Sequence, residues 1–236
     1  MNRLVSNIPN CVTLLNLLSG TMAIICGFKG MDPLWGLKGW QWGAIFIGIG
    51  AVADFLDGFF ARVLKAYSEL GKELDSLCDL VSFGVAPALL VFNVMGSLDP
   101  VCGCWYKWGM LLVPLFAAYR LAKFNIDTRQ TTFFIGMPVP ANAIFWIGFC
   151  SLIAGGASFL LLPAVFFPVL LVESWLMVSQ FKLMSLKFHN YRLQGLNLWR
   201  YLLVFTAIAL VFIMGVSGFL WLIVFYVLLS LCVNVK

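Results

Sequence analysis

Four aspartates stand in two pairs within strongly apolar sequence. Asp57 follows Asp54 by three positions, and Asp79 follows Asp75 by four. On a helix, both spacings place the two side chains of a pair on one face. An ionisable residue inside a membrane segment is costly and marks a functional site by default, and clustered carboxylates repel one another unless cations neutralise them. The pairs therefore predict a site for one or two hard divalent cations, Mg²⁺ or Mn²⁺, with Ca²⁺ as an alternative.

The segments that carry these aspartates are apolar helices. Of the 236 residues, 62% are hydrophobic and 11% are charged, which is far from the usage of soluble proteins. Apolar runs suited to membrane helices recur along the whole chain. We predict an all-α membrane bundle of about eight transmembrane helices, forming a single domain over residues 1–236. The expected spans are about 10–28, 40–64, 73–96, 107–125, 141–157, 159–180, 199–214 and 216–235.

The distribution of Lys and Arg predicts the orientation of this bundle. With eight spans, one side of the membrane holds most of the basic residues, and the other holds only Lys29, Lys38 and Lys107. By the positive-inside rule the basic side faces the cytoplasm. Both termini are then expected in the cytoplasm, and the protein is expected to be an integral protein of the cell membrane. We expect membrane lipids around it and no nucleic-acid partner.

The second and third spans are expected to form an antiparallel helical hairpin with a cytoplasmic turn near residues 66–67. Asp54 and Asp79 are about equally far from this turn, and so are Asp57 and Asp75. In an antiparallel helix pair, equal distance from the turn means equal height, since each residue adds the same rise. All four carboxylates can therefore converge just inside the cytoplasmic end of the hairpin.

Small residues and an arginine follow the first aspartate pair. Gly58 and Ala61 let a flat ligand approach the helix backbone closely, and Arg62, one turn nearer the cytoplasm, suits a phosphate. Two metals, an arginine and a platform of small residues together indicate a nucleotide pyrophosphate. An ion transporter that uses the carboxylates as a cation cage is the alternative from another functional class.

The complete motif resembles the signature of the CDP-alcohol phosphotransferase family. It reads Asp54-x-x-Asp57-Gly58-x-x-Ala61-Arg62, then eight residues, then Gly71-x-x-x-Asp75-x-x-x-Asp79, and every fixed position is matched. The resemblance implies that the aspartates hold two divalent metals on the pyrophosphate of a CDP-linked donor. It also implies that Asp79 is the catalytic base that deprotonates the acceptor alcohol, and that Gly58, Ala61 and Arg62 contact the CDP group.

Further stretches resemble the membrane-embedded phosphatidylserine synthases within this family. They are Asp75-Ser-Leu-Cys-Asp79-Leu-Val-Ser-Phe-Gly84-Val-Ala-Pro87, Arg120-Leu-Ala-Lys-Phe-Asn125 and Phe134-Ile-Gly136-Met-Pro138-Val-Pro140-Ala. The resemblance implies transfer of a phosphatidyl group from CDP-diacylglycerol to L-serine, with phosphatidylserine and CMP as products. Glycerol-3-phosphate and inositol phosphate remain open as alternative acceptors. The family usually forms homodimers through membrane helices, so a homodimer is expected.

The N-terminal stretch Ile8-Pro9-Asn10-Cys-Val-Thr13-Leu-Leu-Asn16 matches the family's pattern beside the nucleotide site. It adds Asn10 and Thr13 to the expected CDP contacts, together with Gly71 from the hairpin. Residues 5–180 are expected to form the catalytic core. Residues 181–236 are expected to add a basic cytoplasmic loop and two further spans.

Candidates for binding serine or a phosphate come from the third and fourth spans. Arg120 and Asn125 lie at the expected cytoplasmic end of the fourth span, where they can hold the serine carboxylate or a phosphate. Ser82, three residues after Asp79, is a further candidate. The alternative for Arg120 and for Lys123 is that they anchor the span at the level of the lipid headgroups.

Overall fold

Apolar helices make up most of the fold. The structure is a computed structural model and describes residues 7–98, 105–127, 133–185 and 194–233. In chain order the α-helices are α1 (Ile8–Gly27), α2 (Gly39–Val63), α3 (Glu69–Asp79), α4 (Ala86–Leu98), α5 (Leu112–Ile126), α6 (Val139–Ala154), α7 (Pro163–Val178), α8 (Leu196–Met214) and α9 (Gly218–Cys232). A π-helical stretch, Leu80–Val85, joins α3 to α4 without a break, and 3₁₀ turns cover Trp105–Leu111, Ser158–Leu161 and Gly215–Ser217.

Within the described residues, five helical stretches have the length and apolar composition of a membrane span. They are Ile8–Gly27, Gly39–Val63, Glu69–Leu98, Trp105–Ile126 and Leu196–Cys232. The outward faces of the helices carry large apolar side chains, and Phe212, for example, is 90% exposed. A broad apolar surface of this kind suits lipid rather than water. The predicted all-α membrane bundle is therefore confirmed, whereas the number of crossings and the side on which the termini lie stay predictions.

The last of these stretches consists of two antiparallel helices. Gly215 lies between α8 and α9 with a φ of 60°, in the left-handed region that glycine adopts readily. The helices on either side of this turn pack against each other, which two helices in line could not do. The chain therefore turns back between the two spans expected at 199–214 and 216–235.

Two short antiparallel strand pairs lie outside the helices, where sequence analysis predicted none. β1 (Pro33–Leu34) pairs with β2 (Leu37–Lys38), and β3 (Phe133–Ile135) pairs with β4 (Lys182–Met184). Strands of two or three residues are too short to show the alternating pattern by which a strand is recognised in a sequence. The second pair joins the segment after α5 to the segment after α7.

The centre of the core is α6. This helix is apolar on all sides, as expected of a helix buried on every face, and the ring of Trp146 is completely buried. The indole Nε1 of Trp146 donates to Asn142 Oδ1 at 2.9 Å, and Asn142 Nδ2 donates to the carbonyl oxygen of Phe83 at 3.2 Å. Because Phe83 belongs to the π-helical stretch, the core is tied directly to the segment that follows Asp79.

A glutamate carboxyl group is buried in α7. Glu173 is 5% exposed, and its Oε1 has no hydrogen-bond partner among the described residues. It lines a cavity of about 350 Å³ whose other walls are apolar side chains of α6, α7 and α9. Burying a polar group without a partner is unfavourable, so this position opposes the stability of the fold.

We expect Glu173→Leu to raise the free energy of unfolding by about 1–3 kcal/mol, the usual penalty for a buried polar group without a partner. Chemical unfolding of the purified protein in detergent measures the change. Glu73→Leu, which alters an exposed glutamate of α3, is the matched control and should change stability much less. A fall in stability for Glu173→Leu would contradict the expectation.

Candidate active site

The hairpin that carries the four aspartates is formed by α2 and α3. The first helix ends at Val63 and the second begins at Glu69, so the turn includes the expected positions 66–67. The hydroxyl of Ser68 accepts a hydrogen bond from the backbone N–H of Gly71 at 2.9 Å. This N-cap satisfies a backbone donor that the first helical turn otherwise leaves free, and it defines where α3 starts.

Three of the four carboxylates converge. Asp54, Asp57 and Asp75 each offer a carboxylate oxygen, and these atoms all lie within 4.8 Å of one another. Asp57 Oδ2 and Asp75 Oδ1 are buried and have no hydrogen-bond partner in the described part of the chain. Negative groups this close repel each other, and carboxylate oxygens are the ligands that hard divalent cations prefer. These three residues, called the aspartate triad below, therefore fit a divalent cation.

Asp79 lies one helical turn beyond Asp75 and does not belong to the aspartate triad. Its Oδ1 instead accepts a hydrogen bond from Asn16 Nδ2 of α1 at 3.1 Å, in buried surroundings. The equal heights were expected from the geometry of α2 and α3 alone. Helix α1 packs against both of them, and its Asn16 supplies the hydrogen bond to Asp79. The convergence expected for four carboxylates is thus seen for three, and direct metal binding by Asp79 stays a prediction.

A cavity of about 220 Å³ opens beside the aspartate triad. It is lined by Pro9, Asn10, Thr13, Asp57, Gly58, Ala61, Ala66, Tyr67, Ser68, Gly71, Lys72 and Asp75. The lining brings together the predicted CDP contacts Asn10, Thr13, Gly58, Ala61 and Gly71. Arg62 is exposed and outside the lining, and its Nε donates to the backbone carbonyl of Gly58 at 2.9 Å. Its contact with a nucleotide stays a prediction.

Packing within the protein does not require glycine at position 58. A Cβ added at Gly58 would meet no atom within 4 Å, and the residue lies within the regular helix α2. At Gly71, by contrast, an added Cβ would lie 3.0 Å from both Asn10 Oδ1 and Ser68 Oγ. The free space at Gly58 borders the cavity, so the missing side chain leaves room for a ligand.

We expect Gly58→Val to fold normally and to lower the affinity for CDP by about 10- to 100-fold. Overfilling a closely fitting site costs about 1–3 kcal/mol, and each 1.4 kcal/mol is tenfold in affinity. Titration calorimetry with CDP measures the change. The matched control is Gly48→Val in the same helix, because Gly48 is exposed and also has free space around it. Equal CDP affinities for the two variants would show that the cavity does not bind the nucleotide.

Residues of α5 approach α3 near Asp79. Arg120 is buried, with its guanidinium 4.8 Å from the ring centroid of Phe124 and close enough to Asp79 for an electrostatic interaction. Asn125 Nδ2 donates to Ser76 Oγ at 2.9 Å. An arginine that only anchors a span at the lipid headgroups keeps its charged end in water. Arg120 is instead buried beside a carboxylate, which argues against a purely anchoring role.

Ser82 is completely buried, and its hydroxyl donates to the backbone carbonyl of Asn16 at 2.9 Å. The hydroxyl proton of Ser82 is thus engaged in a hydrogen bond inside the protein. A role of Ser82 in binding the acceptor stays a prediction.

Two residues near Asp79 were not among the predicted site residues. Asn16 holds Asp79, and it ends the N-terminal motif, so the sequence carried a signal for it. Tyr226 of α9 lies near Arg120, and its hydroxyl donates to the Met184 carbonyl at 2.9 Å. No motif surrounds Tyr226, and only the packing of α9 places it near the site.

Known proteins resemble this chain over much of its length. The sequence profile of the CDP-alcohol phosphatidyltransferase family matches residues 6–185. The CDP-diacylglycerol–serine O-phosphatidyltransferase of Bacillus subtilis is 38% identical over 150 residues, which cover 61% of this chain and 76% of the relative. The enzymes of the same name are 36% identical over 151 residues in Methanocaldococcus jannaschii, covering 64% of each chain, and 33% identical over 172 residues in Helicobacter pylori, covering 69% of this chain and 66% of the relative.

The match covers about half of some longer relatives, such as 49% of the Mycobacterium tuberculosis enzyme. Within this chain, however, the family profile matches residues 6–185, which is more than half of the sequence. It also includes the complete aspartate motif, the cavity beside it and the α5 residues that approach Asp79. The chain therefore belongs to the CDP-alcohol phosphatidyltransferase family.

Proposed function

We propose that the protein transfers the phosphatidyl group of CDP-diacylglycerol to the hydroxyl of L-serine and releases phosphatidylserine and CMP. The observation that carries this proposal is the cavity beside the aspartate triad, with its free space at Gly58. The names of the relatives support serine as the acceptor. Buried Arg120 beside Asp79 supports it as well, because a guanidinium pairs well with a carboxylate such as that of serine.

The donor binds with its CDP group in the cavity and its acyl chains in the lipid. Asn10, Thr13, Gly58, Ala61 and Gly71 contact the CDP group, and Arg62 at the rim pairs with a phosphate. The aspartate triad holds two divalent metal ions, Mg²⁺ or Mn²⁺, with Ca²⁺ as an alternative and Asp79 as the candidate fourth ligand. Such ions, when bound, neutralise the negative charge of a pyrophosphate and make its phosphorus a better electrophile.

Asp79 acts as the general base of the transfer. It accepts the proton of the serine hydroxyl, and the serine oxygen forms a bond to the β-phosphorus, which carries the diacylglycerol. The bond from this phosphorus to the oxygen that bridges to the α-phosphorus breaks, and CMP leaves with that oxygen. Arg120 orients serine through its carboxylate, and Asn125 and Ser82 are further candidates for contacts on the acceptor side.

The proposal includes the placement of the protein in the cell membrane. The active site faces the cytoplasm, residues 5–180 form the catalytic core, and residues 181–236 add the basic loop and two spans. We further propose a homodimer formed through membrane helices.

An acceptor assay tests the proposal. The purified protein in detergent is given CDP-diacylglycerol with Mn²⁺ or Mg²⁺, and CMP release is measured with L-serine, glycerol-3-phosphate or inositol phosphate in turn. Release that depends on serine is the expected result. Release with another acceptor would retain the transfer chemistry and overturn serine as the substrate. No release with any acceptor, together with cation flux in liposomes that needs no nucleotide, would favour a transporter.

A further inference from the structure

Three helices meet around Asp79. Asn16 of α1 is completely buried, and its Nδ2 donates to Asp79 Oδ1 at 3.1 Å. The backbone carbonyl of the same Asn16 accepts the hydroxyl of Ser82 at 2.9 Å, and Gly50 of α2 faces the Asn16 side chain. One residue of α1 therefore contacts the chain at Asp79 and again at the next turn.

The helix changes its hydrogen-bond pattern immediately after Asp79. Residues Leu80–Val85 are π-helical, and single π turns inside α-helices occur frequently at functional sites. Two polar groups from outside the helix hold this stretch, because Asn16 accepts the Ser82 hydroxyl and Asn142 of α6 donates to the Phe83 carbonyl. Asp75 joins the aspartate triad, whereas Asp79, one turn later, is bound by α1.

The side chain of Asn16 includes a buried oxygen without a partner. Its Oδ1 is buried and lacks a hydrogen-bond partner among the described residues, and a Cβ at Gly50 would lie 2.9 Å from it. Buried polar atoms almost always have a partner, and an exception needs a reason. A leucine of similar size would fill the same space without leaving an unpaired oxygen. The contact with Asp79 is therefore the reason for an amide at this position.

We propose that Asn16 is a positioning residue for the transfer reaction. Its amide fixes Oδ1 of Asp79, so that the other carboxylate oxygen is turned towards the acceptor and receives the hydroxyl proton. An amide suits this task, since its N–H group donates a hydrogen bond to the carboxylate and so fixes the direction of that group. This inference rests on the proposed function of Asp79.

The test compares Asn16→Leu with the wild type. We expect kcat for phosphatidyl transfer to fall by about 10- to 100-fold, since small misplacements of a reacting group have effects of this order. KM for CDP-diacylglycerol should stay within about threefold, because Asn16 does not line the cavity and so removes no donor contact. Mn²⁺ affinity, measured by electron paramagnetic resonance, should stay unchanged because the aspartate triad is intact. An unchanged kcat would overturn the inference.

Asn142→Leu is the matched control. It removes the buried side-chain amide that donates to the Phe83 carbonyl of the π-helical stretch, and the hydrogen bonds of this amide run to Phe83 and Trp146 rather than to Asp79. We expect a lower Tm for this variant and a kcat within about threefold of the wild type, because the interaction that it removes is not made to a reacting group. An equal loss of kcat in both variants would mean that loosening of the helix explains the effect, and the inference would fail.

A structure of Asn16→Leu separates this inference from the proposed function. The expected result is that the Asp79 carboxylate turns away from its wild-type direction while the aspartate triad keeps its arrangement. An unchanged Asp79 carboxylate would overturn the inference, whichever acceptor the enzyme uses. A wild-type protein without any transfer activity would overturn the proposed function, and the direction of Asp79 in the variant would still decide whether Asn16 positions it.

Discussion

Asp79→Asn is expected to reduce phosphatidyl transfer by about 10²- to 10⁴-fold, the range that a general base contributes. The amide has the size of the carboxylate and can remain beside Asn16, so the buried contact between α1 and α3 keeps its shape. It cannot accept the proton of the acceptor hydroxyl, and the attack on the phosphorus must then proceed from the neutral alcohol. CMP release from CDP-diacylglycerol in the presence of serine measures the loss.

The Mn²⁺ affinity of Asp79→Asn shows whether the variant has lost a catalytic base or a metal ligand. The oxygen atoms that lie within 4.8 Å of one another belong to Asp54, Asp57 and Asp75, and Asp79 is not among them. We therefore expect Asp79→Asn to bind Mn²⁺ with nearly wild-type affinity and to bind CDP normally. Full transfer activity in this variant would exclude Asp79 as the base. Loss of Mn²⁺ binding would instead assign it mainly to the metal site.

Removal of divalent cations with a chelator is the second change with a large expected effect. We expect CMP release to fall by at least about 10³-fold, because a bound metal stabilises the charge of a reacting phosphoryl group by several kcal/mol. Activity should return when Mg²⁺ or Mn²⁺ is added back. Asp57→Asn should reproduce the loss at ordinary cation concentrations, since Asp57 is the buried member of the aspartate triad.

Thermal stability gives an independent measure of the same site. A cation that binds the folded protein raises its Tm, so Mg²⁺ should stabilise the wild type more than Asp57→Asn. Without cations the order should reverse, because Asn at this position removes one of three neighbouring negative charges. Asp32→Asn, in the loop between α1 and α2, is the control and should respond to Mg²⁺ like the wild type. Transfer that persists in excess chelator would contradict the metal requirement.

Features of the site that depend on residues close together in the sequence could be predicted from the sequence alone. Pairs spaced by three or four residues share a helix face because of the geometry of the α-helix alone, and a short turn must bring α2 and α3 together. The convergence of Asp54, Asp57 and Asp75 follows from these local rules. Gly58, Ala61 and Gly71 belong to the same hairpin and line one cavity.

The membrane fold could also be predicted from the sequence, because the apolar runs that form helices and the polar or glycine-containing segments between them are visible in it. Each expected span overlaps helical structure, with 73–96 covering α3, the π-helical stretch and α4, and the turn at Gly215 separates α8 from α9 between the spans expected at 199–214 and 216–235. The short strands were missed because two or three residues carry no recognisable pattern. The burial of Glu173 in an apolar cavity was also unpredictable, because it depends on how α6, α7 and α9 pack against one another.

The chemistry around Asp79 was decided by tertiary structure. From the sequence alone, Asp79 is predicted to lie at the height of Asp54, and the motif that contains it resembles the signature of a phosphotransferase family. The sequence did not determine which group meets Asp79, because Asn16 is 63 residues away along the chain and Arg120 belongs to another helix. Side chains so far apart meet only when α1, α3 and α5 pack together. Helix geometry is a local property that spacing encodes, whereas contacts between helices depend on the shapes of all the side chains in the core.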